Sequence, residues 1–203
     1  MPRKTRFSAE DIIQAALEMT REAGLASLSA AAIAKKMGCS TMPIYSHFES
    51  LDELEEAVIE SAWEMMFEWE AKEITGDRWV DQSIAYTRFA REEKHLFQCM
   101  WDSRHYEKSQ EMNNKHTLFL EENLARYEKF EGLSDEELFN IRIARAIFSQ
   151  GAAISLSSGW MIRLNDEDVA ANFIELVSKG LQIGISQLLR EGATGLPFSP
   201  SKK

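Results

Sequence analysis

Between Ser40 and Phe48 the chain sets Ser40, Thr41, Met42 and Pro43 ahead of Tyr45 and His47. These types at this spacing form no nucleophile–base pair and no paired carboxylates. They suit recognition of a groove edge instead. Ser and Thr hydroxyls make single hydrogen bonds, and an apolar side chain can touch a thymine methyl group. The stretch holds no Arg, Lys, Asn or Gln, the side chains that bond a base with two hydrogen bonds at once. Base contact through Ser40, Thr41, Met42 and Pro43 is therefore expected to lean on thymine methyls and lone hydroxyl bonds. Tyr45 and His47 are poor choices for a buried hairpin, so the same segment is expected to face outward.

Two short helices around a tight turn must position these residues. Ser29 is placed to cap the first, with Ile33 and Met37 on one face and Ala30 and Ala34 beside them. Gly38 follows the last helical residue, where a left-handed backbone needs no Cβ. Ser40 is expected to cap the second helix, with Pro43 in its first turn and Ile44 and Phe48 turned inward. The pattern predicts a helix-turn-helix whose second helix enters a DNA major groove. Ahead of it, Ser8 opens a first helix to Ala23, with Ile12, Ile13, Ala16 and Leu17 completing a small core.

Ile33-Ala34, Gly38, Ser40 and Ile44-Tyr45-Ser46-His47-Phe48, followed by Ser50, Asp52, Glu53 and Leu54, resemble the TetR family of bacterial repressors. The resemblance covers roughly residues 8 to 60; beyond that only length and helical texture are alike. It implies phosphate contacts from Tyr45 and His47, with Ser29 and Lys36 as further candidates. It also favours Arg3, Lys4 and Arg6, a short basic arm, reaching phosphates or a minor groove. One departure stands out. The family usually carries Lys just after the small residue that follows His-Phe, and here that place is Leu51. The phosphate contact expected there is missing.

The net charge of −10 argues against a protein that coats nucleic acid without specificity. Residues 1–50 carry +1, which leaves −11 for the rest. A near-neutral head on an acidic body favours contact through one defined surface, with salt-sensitive affinity. Cys39 and Cys99 are far apart and give no disulfide framework, which suits a cytoplasmic setting. No stretch has the length and apolarity to span a membrane, and none reads as a signal peptide.

The remainder reads as helices. Ser50 and Glu53 form a capping box that opens a long helix to about Lys72. Further helices are expected from Asp77 to Arg91, around His95–Trp101, through Tyr127, from Ser134 to Trp160, and from Asn165 or Asp166 to Arg190. Gly151, Ser155 and Gly159 on one late helix, and Gly180 and Gly184 on the other, point to close helix approach, since a helical glycine costs about 1 kcal/mol relative to alanine. With Val169, Phe173 and Leu188 they are expected to form a four-helix homodimer interface. A dimer suits an operator with two half-sites about 34 Å or a multiple apart.

The body is rich in Met65, Met66, Trp69, Phe89, Met100, Trp101, Met112, His116, Phe119 and Trp160. Such residues build core. The resemblance implies that they also line a cavity for a small hydrophobic effector. His95 and Cys99, with Asp102 and His105 nearby, do not specify a metal site, and no metal, cofactor or enzymatic activity is expected.

The expectation is an all-α regulator. A three-helix head (1–50) is joined by a long helix to a ligand-binding and dimerisation body (51–191), with a loose tail (192–203). Most naturally it is a repressor released from its operator by the effector. The alternative is a helical ligand- or partner-binding dimer that no longer binds DNA, which Leu51 and the short polar side chains of the second helix favour.

Overall fold

The computed structural model describes residues 7–124, 127–159 and 166–191. The basic arm residues Arg3, Lys4 and Arg6, the tail from residue 192, Asn165 and Trp160 lie outside the described residues. Nine α-helices account for most of those described: α1 (Ala9–Ala23), α2 (Ala30–Met37), α3 (Met42–His47), α4 (Leu51–Glu70), α5 (Arg78–Glu92), α6 (Lys94–Cys99), α7 (Tyr106–Leu124), α8 (Asp135–Ser157) and α9 (Glu167–Arg190). No strand occurs among the described residues, and the expected all-α class holds.

Helix starts follow local chemistry. Ser8 Oγ accepts from Asp11 N while Asp11 returns a bond to Ser8 N, a closed capping box at α1. Ser134 and Glu137 do the same for α8. Asp166 Oδ1 accepts from Asp168 N and Val169 N at α9. The box expected at α4 is displaced. Ser50 Oγ does accept from Glu53 N, but Glu53 Oε2 reaches back one residue further, to Glu49 N at 2.6 Å. At the far end of α8, Gly159 is not a helical glycine. The helix stops at Ser157, and Gly159 turns with φ +73°.

The described chain forms two compact units. The first takes the chain up to Glu68 and Glu92–Phe119. Its core joins Ile12, Ala16 and Leu17 of α1 to Ile33 and Ala34 of α2 and Ile44 of α3, with Leu54, Val58, Ile59 and Trp63 of α4 also buried. Helix α6 packs on α1. Ile13 and Met37, expected in this core, are only half-buried.

The second unit takes Trp69–Arg91 and the chain from Leu120. Trp79, Val80 and Ile84 of α5 meet Leu124, Phe130, Ile141 of α8 and Ile174 of α9. From Trp79 to Ala90, α5 is buried at every position except Arg88. Its polar residues are therefore inside.

Asp77 caps α5 through bonds from Trp79 N and Val80 N, and accepts from Tyr127 Oη and Lys129 Nζ, both at 2.6 Å. Burial opposes its charge, but Lys129 and Tyr127 outweigh burial and hold the carboxyl below its ordinary value. A depressed folded pKa adds stability above the unfolded value near 3.8, and that stability is lost as pH falls through the folded value. Urea denaturation should show Asp77→Asn less stable than wild type at neutral pH. The gap should close on acidification below about pH 4.

Candidate nucleic-acid interface

Eight residues of α2 and six of α3 build the interface. Ser29 Oγ accepts from Ala32 N at 3.1 Å and starts α2 as expected. Gly38 ends it at φ +65°, ψ +38°, and its N–H bonds back to Lys35 O. A left-handed residue here turns the chain sharply enough for α3 to begin four residues later. Ser40 does not cap α3. The cap position is Thr41, in helical backbone, with no side-chain bond to the helix. Helical backbone at the cap turns a side-chain oxygen away from the free N–H groups, so none is caught. Ser40 is exposed and its hydroxyl is left for other partners.

The outward face is sharply defined. Ile44 is 1% exposed, whereas Met42 is 77% and Tyr45 57% exposed. Pro43 and Thr41 are half-buried, and Ser46 bonds to Pro43 O. So Met42 leads the helix into solvent with Tyr45 on the next step of the same surface. His47 is exposed, but its Nε2–H donates to Phe7 O at 3.0 Å, which ties the end of α3 to the chain just before α1. Lys36 is exposed and pairs with Glu18 of α1 at 3.1 Å. Its charge is partly spent within the head.

The other predicted groups fall as follows. Among the apolar body residues, His116 stacks on Phe67 (5.7 Å), Phe67 on Phe119 (5.2 Å), and Trp101 stands edge-on to Trp63 (5.2 Å), all in the first unit. Met66, Met100 and Met112 are buried there and Met65 is half-buried. Trp69 packs edge-on to Phe89 in the second unit. Of the nine described candidates, seven fall in the first unit and two, Trp69 and Phe89, in the second. A small open recess of about 10 Å³, on the scale of a single water, lies among Ile84, Thr87, Arg88, Leu156, Glu167 and Ala170. Its lining comes from helices far apart in sequence, so no local spacing announces it.

The metal-type residues are each committed elsewhere. Cys99 is buried, its thiol pushed up to about 12 by burial and then by Asp102, and Sγ–H donates to Leu96 O. His95 donates to Arg21 O. His105 Nε2 donates to Glu55 Oε2 at 2.7 Å, and Arg104 reaches the same oxygen at 3.1 Å. Asp52 joins Glu55 and His105 in a compact group, with the Arg104 guanidinium as its cation.

The exposed apolar side chains of α8 and α9 are laid out in stripes. On α9, Val169, Phe173, Leu176, Ile183 and Leu188 are exposed apolar side chains, and on α8 Ile147 and Ile154 are. Gly151, Gly180 and Gly184 have nothing within 4 Å of where a Cβ would stand. Ser155 is half-buried on the same helix as Gly151. Packing within the chain does not explain these glycines.

A helix-turn-helix that buries Ile44 and offers Met42 and Tyr45 defines a DNA-binding transcriptional regulator. Residues 12–58 match the family model described as "Bacterial regulatory proteins, tetR family". Over these residues the head is similar to that family. A crystal structure of a transcriptional regulator from Rhodococcus sp. Rha1 is similar in fold, with a TM-score of 0.63 at 16% identity over 91% of this chain and 97% of that one. No curated protein matches the chain. No helix among the described residues is long and apolar enough to cross a membrane.

The turn gives a clean test. Gly38→Ala meets no neighbouring atom, so its whole effect is the left-handed backbone. It should lower stability by about 1 kcal/mol in urea titration, with Gly38→Asn between the two.

Proposed function

We propose that this regulator acts as a homodimeric repressor that a small-molecule effector releases from an operator of two half-sites. Residues 1–50 would read the DNA, and residues 51–191 would carry the effector site and the dimer contact. The observation that carries the reading is the pair of exposed apolar stripes on α8 and α9, where Leu176 is 69% and Ile183 64% exposed around glycines whose Cβ positions meet nothing among the described residues. A single chain gains nothing from that surface. Two copies would bury it as a four-helix contact, and glycine would let the backbones come close.

Contact with DNA would be shared between side chains of different kinds. Thr41, Met42 and Pro43, with Ser40 beside them, would meet bases. Tyr45 would reach a phosphate with its hydroxyl, and His47, Ser29, Lys36 and the basic arm would add to that. A body awaiting a ligand also leaves polar atoms unpaired. Gln82 Nε2 and Ser178 Oγ, both of the second unit, are buried without a hydrogen-bond partner among the described residues. Native folds leave few such atoms, and a bound effector would supply acceptors and donors.

Sedimentation of the purified chain should give a dimer. Leu176→Glu with Ile183→Glu should give a monomer that loses at least 100-fold in affinity for its own upstream DNA, because one half-site is forfeited. A wild-type monomer that binds DNA equally well would remove the proposal. In the same gel shifts, replacing thymine by uracil in each half-site should weaken binding several-fold wherever Met42 or Thr41 meets a methyl group.

A further inference from the structure

Residues 1–50 hold six cations, Arg3, Lys4, Arg6, Arg21, Lys35 and Lys36. Two of them are engaged within their own unit: Lys36 pairs with Glu18 and Arg21 with Glu93. Three of the others belong to the arm that ends just before Phe7. A head with this distribution depends on its arm for much of its phosphate contact. A chain terminus is loose unless something ties it down, so what holds the root of the arm bears on DNA binding.

Contacts on two sides hold that root. On one side Ser8 is closed into the capping box of α1, with Ser8 N donating to Asp11 Oδ2 at 2.8 Å. On the other, His47 Nε2–H donates to Phe7 O at 3.0 Å. His47 is the last residue of α3, two residues after Tyr45, and Phe7 is half-buried. The bond spans 40 positions of sequence and fastens the origin of the arm to the end of the recognition helix. Arg6, Lys4 and Arg3 stand one, three and four residues before Phe7, within about 14 Å of chain. The same bond limits what the ring itself can do. A neutral imidazole that gives its Nε2–H to Phe7 O keeps Nδ1 as a bare acceptor, which cannot donate to a phosphate oxygen.

We infer that His47 is a positioning residue for DNA binding: it sets the origin of the basic arm beside α3, and it serves phosphate contact through Arg3, Lys4 and Arg6, not through its own ring. The inference deepens the DNA reading above and rests on it. It also makes a distinct statement about energy. The loss from removing His47 and the loss from removing the arm charges are one loss, counted once, whereas two separate phosphate contacts would lose independently.

The test measures the affinity of the full chain for duplex DNA from upstream of its own gene, by fluorescence anisotropy over a range of salt. Replacing Arg3, Lys4 and Arg6 together by Gln should weaken binding about tenfold and flatten the salt dependence. His47→Ala should reproduce most of that loss, about fivefold, with the same flattening. His47→Gln, whose amide N–H can reach Phe7 O, should restore binding without carrying charge, and the shorter His47→Asn should behave as His47→Ala does. Added to the arm replacement, His47→Ala should weaken binding by less than about twofold more. If His47→Ala does not fold, His47→Asn takes its place in the cycle. Losses that multiply independently overturn the inference, and so does His47→Gln binding as weakly as His47→Ala. An arm replacement without effect also overturns it and leaves DNA binding by α3 standing. A wild-type chain that captures no duplex sinks the inference and the DNA reading together.

Discussion

A helix of six residues without a side-chain cap cannot hold itself in water, because nucleation consumes what so few hydrogen bonds return. Helix α3 exists because Ile44 and Phe48 bury their side chains in the head core. Everything that faces outward from α3 is therefore placed by what faces inward. Met42 and Tyr45 take their direction from Ile44, and the angle at which they leave the head is set by the left-handed turn at Gly38. His47, bonded to Phe7 O, closes the arrangement from the other end. A recognition helix that borrows its stability in this way is rigid only while the head core is intact.

The electrostatics of the head are restrained. Lys36 faces solvent but is paired with Glu18, and Leu51 stands where a lysine is usual in the family. The described part of the head, with so little free positive charge, gains little from counterion release. In the proposed dimer, affinity would come from fit and from holding two heads at once. Doubling the contact matters more when each contact is weak, and the exposed stripes of α8 and α9 acquire their weight from that argument.

The head was legible because its determinants are local. Ser29 as a cap, Gly38 as a left-handed stop and the alternation of Ile44 with Tyr45 are all set within a few residues, and each appears as the spacing predicts. Errors came where two residues compete for one role. Ser40 and Thr41 both suit a cap, and the backbone took Thr41 into helical geometry without using either hydroxyl. Glu53 could have closed on Ser50 but closed on Glu49. Gly159 looked helical beside Gly151 until the helix ended two residues before it. The apolar body residues are harder to place for a deeper reason. Spacing tells which residues are inside, and says nothing about which of the insides they share, so Trp69 and Phe89 pair in one unit while Trp101 and His116 serve the other.

The polar interior of the second unit was least legible of all. Helix α5 carries Asp81, Gln82, Ser83, Tyr86 and Thr87, which by type belong on a solvated face. They are buried nonetheless, and no periodicity in α5 itself reports that. Some of these groups are satisfied at home. Thr87 bonds to Ser83 O and Ile84 O, Ser83 to Trp79 O, and Tyr86 to Gln150. Others, such as Asp81 Oδ2 and Gln82 Nε2, are not. A core built only for stability would replace such groups with apolar ones at little loss, since a buried charge or an unpaired amide weakens a fold more than a well-packed hydrocarbon does. Arg145 sits over the Trp79 ring and donates to Trp79 O and Gln82 Oε1, with buried Glu70 as the nearby charge that favours its own.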